Sequence, residues 1–476
     1  MIDTQAIRNK ILDLAIRGKL TEQLPEDGTA EELFQNILAE KQALINNGKI
    51  KKEKAFSESP VFKPYPFDIP KSWKFVRFGE LMINRDSERI PVSVADRRKR
   101  KKIYDYYGAS GVIDGIDDFL FEKDLLLIGE DGANLLARSS PIAFIASGKY
   151  WVNNHAHVLD VCSGTDIRYI CRFINAISLE KFVTGSAQPK MNQENMNAIW
   201  VALPPYDEQK RIVDKIDQAF SVLDAIDTLQ AQYADNLTTL KAKLIDAAIQ
   251  GKLTEQLPED GTAEELYQQI QAEKQALIKE GKIKKEKPLQ EIAADEIPFD
   301  IPRNWKWVTL GSITSKITSG STPTGGRKSN VYVESGFPLF REQNIYDDGI
   351  HQAGMVFITE DLLNTRQNSI VLAKDILLNI TGGSIGRCAL VPNSFDRGSI
   401  NQHILIIRAV DSATRFYIHS LICSPYVQSY IKNKAVGDKD GFSGGRCKKI
   451  LVPLPPLAEQ KRIVTRLEEV LKAIEA

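Results

Sequence analysis

From Ile212 onward the apolar positions fall at Ile212, Ile216, Ala219, Leu223, Ile226, Tyr233, Leu237, Leu240, Leu244 and Ala247, in steps alternating between four and three. Only Gln230 interrupts the stripe. This spacing predicts one helix from Glu208 to Gly251, about 65 Å long at 1.5 Å per residue, closed by the glycine. A heptad seam exposed to water on its own is unstable, so a second helix should cover it; a surface helix on a globular core is the alternative. The start of the same stripe recurs at Glu459–Ala476, with Ile463, Leu467, Val470 and Ile474. Its end, Lys243–Gln250 (KLIDAAIQ), recurs at Lys10–Arg17 (KILDLAIR), with Ile7, Ile11 and Leu14 continuing the pattern. In this register Ala476 corresponds to Ala225 and Met1 to Ala234, leaving only positions 226–233 without an equivalent. The expected arrangement is an antiparallel coiled coil of one intact and one broken helix. The two chain ends should then lie within about 12 Å of each other along the broken helix.

These echoes belong to a duplication. Gly18 to Leu33 and Gly251 to Leu266 read the same sixteen letters, GKLTEQLPEDGTAEEL. AEKQALI, GKIKKEK, PFDIP and Trp-Lys follow in both copies, and LPPYDEQKRIV from Leu203 returns as LPPLAEQKRIV from Leu454. Thr29-Ala-Glu-Glu32 and Thr262-Ala-Glu-Glu265 have the spacing of capping boxes that open helices. The pattern divides the chain into constant segments at 1–20, 21–78, 204–310 and 455–476, and unlike variable segments at 79–203 and 311–454. Strand-like runs (119–128, 141–146, 369–380, 403–409) mix with helical stretches (166–179, 412–432) in the variable parts. The fold class is therefore α+β, with two α/β domains, a long antiparallel coiled coil and a cyclic pseudo-two-fold repeat.

At 476 residues with 43% hydrophobic and 26% charged side chains, the chain is an ordinary globular one of several domains. Sixty-two basic and 62 acidic residues exclude a uniformly basic coat but not local patches. No run is apolar enough for a bilayer, the start lacks a signal-peptide core, and five scattered cysteines read as reduced thiols of a cytoplasmic protein.

Catalytic patterns are missing. There is no GxxxxGK[ST], Leu203-Pro-Pro-Tyr206 and Leu454-Pro-Pro-Leu457 lack the Asn or Asp of an amino-methyltransferase, and 382–386 lacks GxGxxG spacing. His155 and His157 could share a strand face as a polar core, a DNA contact or, less consistently with their surroundings, metal ligands. No catalytic, cofactor or metal residue is assigned. Binding signals are stronger. Arg97, Arg98, Lys99, Arg100, Lys101 and Lys102 form a cationic run ahead of Tyr104, Tyr106 and Tyr107, either a solvated loop or a phosphate contact. The segment 79–203 carries 15 basic against 16 acidic side chains, and 311–454 carries 16 against 11. Gly-, Ser- and Arg-rich loops in the second segment hold Ser319, Ser321, Thr322, Arg327, Lys328, Arg387 and Arg446. Amides and hydroxyls suit phosphates, Arg suits guanine, and Asn and Gln suit adenine. Candidate contacts therefore also include Asn153, Asn154, His155, Gln188, Lys190, Arg341, Gln343, Asn344, Asn401 and Gln402.

The duplicated blocks, the two LPP..EQKRIV blocks and their cyclic order resemble the specificity subunits of type I restriction-modification systems over essentially the whole chain. The fragments TSGSTP, ILLNITGGSIGRCALVP and INQHILIIR are similar to one class of target recognition domain. GEDGANL, WVNNHAHVL and SAQPKMNQENM are similar to another. The resemblance implies a non-catalytic subunit whose two domains each read half of an asymmetric bipartite site in double-stranded DNA, with the helices as a ruler. It also implies docking of two DNA adenine N6-methyltransferase subunits that bind S-adenosylmethionine, with restriction subunits adding ATP- and Mg-dependent cleavage. No cofactor is expected in this chain itself. A duplicated clamp for other proteins is the rival reading, and an enzyme with an unrecognised site is a third.

Overall fold

In the computed structural model, residues 1–51, 65–185, 188–285, 292–321, 331–435 and 441–475 are described, and the chain separates into two units, 1–232 and 233–476. The first unit opens with helix α1 (Thr4–Ile16) and helix α2 (Ala30–Asn46). Between them Gly18 adopts φ +65°, and a Cβ there would lie 2.4 Å from Pro70 Cγ. Glycine is thus required twice over, by handedness and by the close approach of the proline. Thr29 caps α2, its hydroxyl accepting from Glu32 N at 3.3 Å. Strand β1 (Lys74–Arg77) then enters the variable segment, which supplies β2 (Met82–Asn84), β3 (Tyr104–Gly108), β4 (Gly111–Ile116), β5 (Leu125–Gly129), β6 (Ala143–Ala146), β7 (Tyr150–Val152), β8 (Ala156–Val161), helix α3 (Ile167–Ala176) and β9 (Trp200–Leu203). β9 returns antiparallel to β1, pairing Lys74 with Leu203, so the two constant blocks flanking the segment close it at its base. Helix α4 (Tyr206–Ile249) follows.

The first unit has an antiparallel sheet in the order β2-β8-β5-β6 and a smaller sheet β4-β3-β7, in which β3 and β7 run parallel. One core joins Leu126, Leu159, Tyr169 and Phe173 of the domain to Ala15, Ile16, Ile212 and Ile216 of the helices.

The second unit repeats this frame. Helix α5 (Ala263–Lys279) carries the full reciprocal cap, with Thr262 N donating to Glu265 Oε2 at 3.0 Å. Gly251 takes φ +73° against Pro302 as Gly18 does against Pro70. Strands β10 (Lys306–Thr309), β11 (Thr314–Ser319), β12 (Phe337–Phe340), β13 (Ile345–Tyr346), β14 (Gly349–Ile350), β15 (Val356–Ile358), β16 (Ile370–Leu372), β17 (Ile376–Asn379), β18 (Cys388–Leu390), β19 (Arg397–Ile400) and β20 (Ile404–Ala409) precede helices α6 (Arg415–Ile422) and α7 (Pro425–Ala435). Strand β21 (Leu451–Leu454), which pairs with β10, leads into helix α8 (Leu457–Glu475). The sheets are ordered β11-β20-β17-β18 and β15-β12-β19-β16, with β12 and β19 parallel. Strand for strand, the sheet β11-β20-β17-β18 matches β2-β8-β5-β6 of the first unit. Two segments of dissimilar sequence therefore share one topology. The expected run 369–380 is split by Lys374, at φ +72°, and 412–432 is broken before Pro425, which cannot continue a helix hydrogen-bonded from its own nitrogen.

α4 is continuous over 44 residues, as the heptad pattern requires. Its first part meets α1 antiparallel. Arg8 pairs with Asp224 at 2.8 Å and Asp227 at 2.9 Å, Thr4 Oγ1 donates to Asp227 Oδ1 at 2.6 Å, and Ile2 N donates to Gln230 Oε1. The polar break in the stripe is thus a hydrogen-bonding partner for the start of α1. Ile212, Ile216 and Leu223 are buried, Ile226, Leu237 and Leu244 half-buried, as are Ile11 and Leu14. In α8 Ile463 and Leu467 are buried with Ala248 and Ile249, while Val470 and Ile474 are half-buried. Two expected core positions are corrected: Ile7 is 39% and Leu240 44% exposed. They occupy equivalent places in the two copies. Around Ile7 the seam is made by the polar set Thr4, Arg8, Asp224 and Asp227, and the apolar face of α1 is turned onto Ile11, Leu12, Ala15 and Ile16. Ala476, on which the expected approach of the chain ends depends, lies outside the described residues.

Each frame is locked by one buried carboxylate. Glu208, fully buried, accepts from Trp73 Nε1 at 2.8 Å, Gln23 Nε2 at 2.9 Å and Thr21 Oγ1 at 3.1 Å. Glu459 accepts from Trp305 at 2.8 Å, Gln256 at 2.9 Å and Thr254 at 3.2 Å. One turn on, Arg211 clasps Asp27 and Arg462 clasps Asp260. Hydrogen bonding to arginine outweighs burial and holds both aspartates below the usual carboxylate range.

Glu459→Ala leaves three donors without their acceptor and should cost about 2–3 kcal/mol, read as a lower thermal midpoint, whereas Lys461→Ala on the exposed side of α8 should cost nothing measurable. Because Asp27 and Asp260 titrate lower when folded, their contribution is complete above about pH 4 and is lost as acid protonates the folded state. Urea midpoints between about pH 3 and 6 should therefore fall with acid less steeply in the Asp27→Asn/Asp260→Asn variant than in the parent.

Candidate nucleic-acid interface

In the first unit three loops converge beyond the ends of β5, β7 and the turn before β9. Glu130 N donates to the His155 carbonyl at 2.8 Å, Met191 N to the Glu130 carbonyl at 2.8 Å, and Gly132 N to the Pro189 carbonyl at 3.0 Å. Asn153, buried, turns the β7–β8 connection by accepting from His155 N at 2.8 Å. The exposed His155 ring lies 2.8 Å from Asp131 Oδ2 through Nδ1. His157 is a different kind of residue: buried between Asp86 at 2.6 Å and the Met191 carbonyl at 2.9 Å, it braces the loops from beneath. Burial pushes the Asp86 carboxyl up, but the His157 hydrogen bond and charge outweigh it and hold the group below its ordinary value. Glu130 is likewise held low, its burial outweighed chiefly by Arg89 at 3.0 Å, by the charge of His157 and by Lys190 at 3.2 Å.

The second unit has the same three loops. Ile380 N donates to the His403 carbonyl and Phe442 N to the Ile380 carbonyl, each at 3.0 Å. Asn401 accepts from His403 N at 3.0 Å, and His403 Nδ1 lies 2.7 Å from Thr381 Oγ1. Position by position, 130, 131, 153, 155 and 191 correspond to 380, 381, 401, 403 and 442. The backbone scaffold is common, while Glu130 and Asp131 stand where Ile380 and Thr381 stand in the other copy. Such a platform can present different donors and acceptors to two different partners of one chemical kind. Sequence reasoning missed His403, Asp131 and Glu130; the signal available was Asn-X-His at 153–155 and again at 401–403.

The cationic run is not a single patch. Arg97 is buried, ion-paired with Asp114 at 2.8 Å and set 4.4 Å from the Tyr106 ring centroid. Arg100 pairs with Asp117, and Lys102 with Asp114 at 2.9 Å. Arg98, Lys99 and Lys101 are exposed. Lys102 and Arg97 together hold the Asp114 carboxyl far below its ordinary range. Asn154, Gln188 and Lys190 are exposed at the loop cluster of the first unit. In the second, Gln402 is exposed beside His403, Asn401 is tied to Glu342 at 2.9 Å, and Arg387 lies 4.5 Å from the Tyr346 ring centroid. Arg446 donates to the carbonyls of Lys434 and Gly441. Arg341 donates to the Gly354 carbonyl, and Gln343 is exposed near the same oxygen. Asn344 is buried and satisfies the His351 and Ala353 carbonyls. Ser319 and Ser321 are exposed; Thr322, Arg327 and Lys328 lie outside the described residues. Among the described residues no helix is long and apolar enough to cross a membrane.

Known proteins match this arrangement. The family described as type I restriction modification DNA specificity domain matches residues 70–232 and 302–476, once in each unit. The chain is 27% identical to the type I restriction enzyme EcoAI specificity subunit of Escherichia coli, over 98% of this chain and 88% of that one. It is 30% identical to the EcoEI specificity subunit of Escherichia coli, over 67% and 63%. A chain from a solved structure concerning complex assembly and conformational transition of the type I R-M system shares the fold, with TM-score 0.52, 16% identity and coverage of 86% and 93%. With the family matched twice over most of its length, and with two such loop platforms, this chain belongs to the type I restriction-modification specificity subunits, which recognise DNA and work with partner subunits.

Proposed function

We propose that each recognition domain reads one half of an asymmetric bipartite site in double-stranded DNA. The observation that carries this reading is the pair of loop platforms with one backbone scaffold and unlike side chains. A shared scaffold favours the same class of ligand, and unlike side chains at 131 and 381 or 154 and 402 favour different base sequences. The continuous α4 supports a ruler role, in which helix length sets the unspecified spacer between half-sites. The constant frames, by contrast, repeat the same residues, which suits two copies of one partner. That partner is taken to be a DNA adenine N6-methyltransferase subunit supplying S-adenosylmethionine. Restriction subunits, where they join, would supply ATP- and Mg-dependent cleavage, in the cytoplasm. The target adenine has to leave the base stack to reach the partner's pocket, so this chain's role toward it is to hold the duplex in register.

Cations supply the sequence-blind part of affinity, and the loops supply discrimination. In the complex with modification subunits, Arg98→Ala/Lys99→Ala/Lys101→Ala should weaken binding to all sequences alike and reduce the slope of log affinity against log salt by up to about 3, measured by mobility shift at several salt concentrations. Gln402→Ala should leave the salt slope intact and relax preference at the second half-site alone, by about 1–3 kcal/mol, and Asn154→Ala should do the same at the first. Loss of specificity at both half-sites from either single change would overturn the division of labour.

A further inference from the structure

Among the described residues, one group of metal-capable side chains stands together outside the recognition loops. Cys388 lies on β18, fully buried; His419 lies on α6; Cys423 caps that helix one turn later. Their ligand atoms all lie within 4.8 Å of one another, with His419 Nε2 3.8 Å from Cys423 Sγ. His419 Nε2 also lies 3.0 Å from the Cys388 carbonyl, which fixes the ring facing both sulfurs. Zn–S bonds of about 2.3 Å and Zn–N bonds of about 2.0–2.1 Å in a tetrahedron place ligand atoms about 3.5–3.8 Å apart, so the group needs only a small contraction to close on an ion.

We propose that Cys388, His419 and Cys423 form a binding site for a thiophilic divalent cation, Zn2+ being the ion that this ligand set fits. Binding would release the two thiol protons, move the imidazole proton from Nε2 to Nδ1 and exchange the Nε2–carbonyl hydrogen bond for the metal bond, leaving His419 neutral. The fourth position is left to water. Asp347 Oδ1 accepts from Cys388 N at 2.9 Å and so supports the strand that carries the first ligand. The ligands come from a strand and a helix end that a bound ion would tie together, and the Asp347 bond links that strand to the β13–β14 hairpin. That hairpin carries Tyr346, stacked on His351 at 4.2 Å and beneath Arg387. The site would thus be a structural clamp next to the second recognition platform, whatever that platform binds. Spacing in sequence hides it, since the first ligand is 31 residues from the second.

The test uses the full chain, purified with a phosphine reductant and stripped of metal. Zn2+ titrated in competition with a chromophoric chelator should bind at one ion per chain and raise the thermal midpoint, and Co2+ should give a thiolate-to-cobalt charge-transfer band. Cys423→Ser, at a half-buried position that tolerates the change, should lower affinity by roughly tenfold or more and remove part of that band, as should Cys388→Ser. Cys162→Ser and Cys171→Ser, in the first unit, should leave both unchanged. The cobalt spectrum of the unaltered chain does not depend on any variant folding. Absence of the band, unchanged affinity in both Cys388→Ser and Cys423→Ser, or loss caused equally by the first-unit variants would each overturn the proposal.

Discussion

A carboxylate removed from water and given three donors holds each half of this protein together. Glu208 and Glu459 sit at the first turn of a long helix, and each binds the indole nitrogen of the tryptophan that opens a recognition domain. A buried carboxylate without partners would be costly, so its donors must all be present for the helix to dock. This explains why letters far apart in sequence recur as a set. The EQKRIV block brings the acid and the arginine that clasps Asp27 or Asp260. The GKLTEQLPED block brings the threonine, the glutamine and that aspartate, and the Trp-Lys block brings the indole. Glycine at 18 and 251 belongs to the same set, because the proline before the tryptophan occupies the space a Cβ would need.

With the frame fixed by such contacts, the inserted domains can diverge. Their cores keep what the sheet demands: central strands buried along nearly their whole length, a tyrosine from α3 or α6 whose hydroxyl donates to the carbonyl of Ala202 or Pro453, and an Asn-X-His turn. The loops beyond the strand ends vary without disturbing these supports. A platform built on rigid backbone hydrogen bonds can change its side chains and hence its base preference, which is what a specificity subunit requires.

Local physics was legible in the sequence and long-range pairing was not. The heptad steps gave α4 and its glycine end, because helix periodicity and caps depend on neighbours within a few residues. The departure at Ile7 arises where Thr4, Arg8, Asp224 and Asp227 form a polar seam, which depends on a partner more than two hundred residues away. Common topology in the two variable segments was hidden for the same reason: strand order follows from pairings such as Leu126 with Leu159 and Leu377 with Ile406, and many apolar sequences satisfy them. The run from Arg97 to Lys102 looked like one cationic surface. Three of its members are instead neutralised by Asp114 and Asp117 across the β3–β4 hairpin, a pairing that composition cannot reveal.

The central claim is that one scaffold, used twice with unlike side chains, reads two unlike pieces of DNA. The most direct measurement is the pattern of modified adenines in cells that express this chain with its modification subunits. The account predicts a single motif of two dissimilar specified halves separated by a spacer of fixed length and free sequence. A palindromic motif, an uninterrupted one, or modification without sequence preference would contradict it.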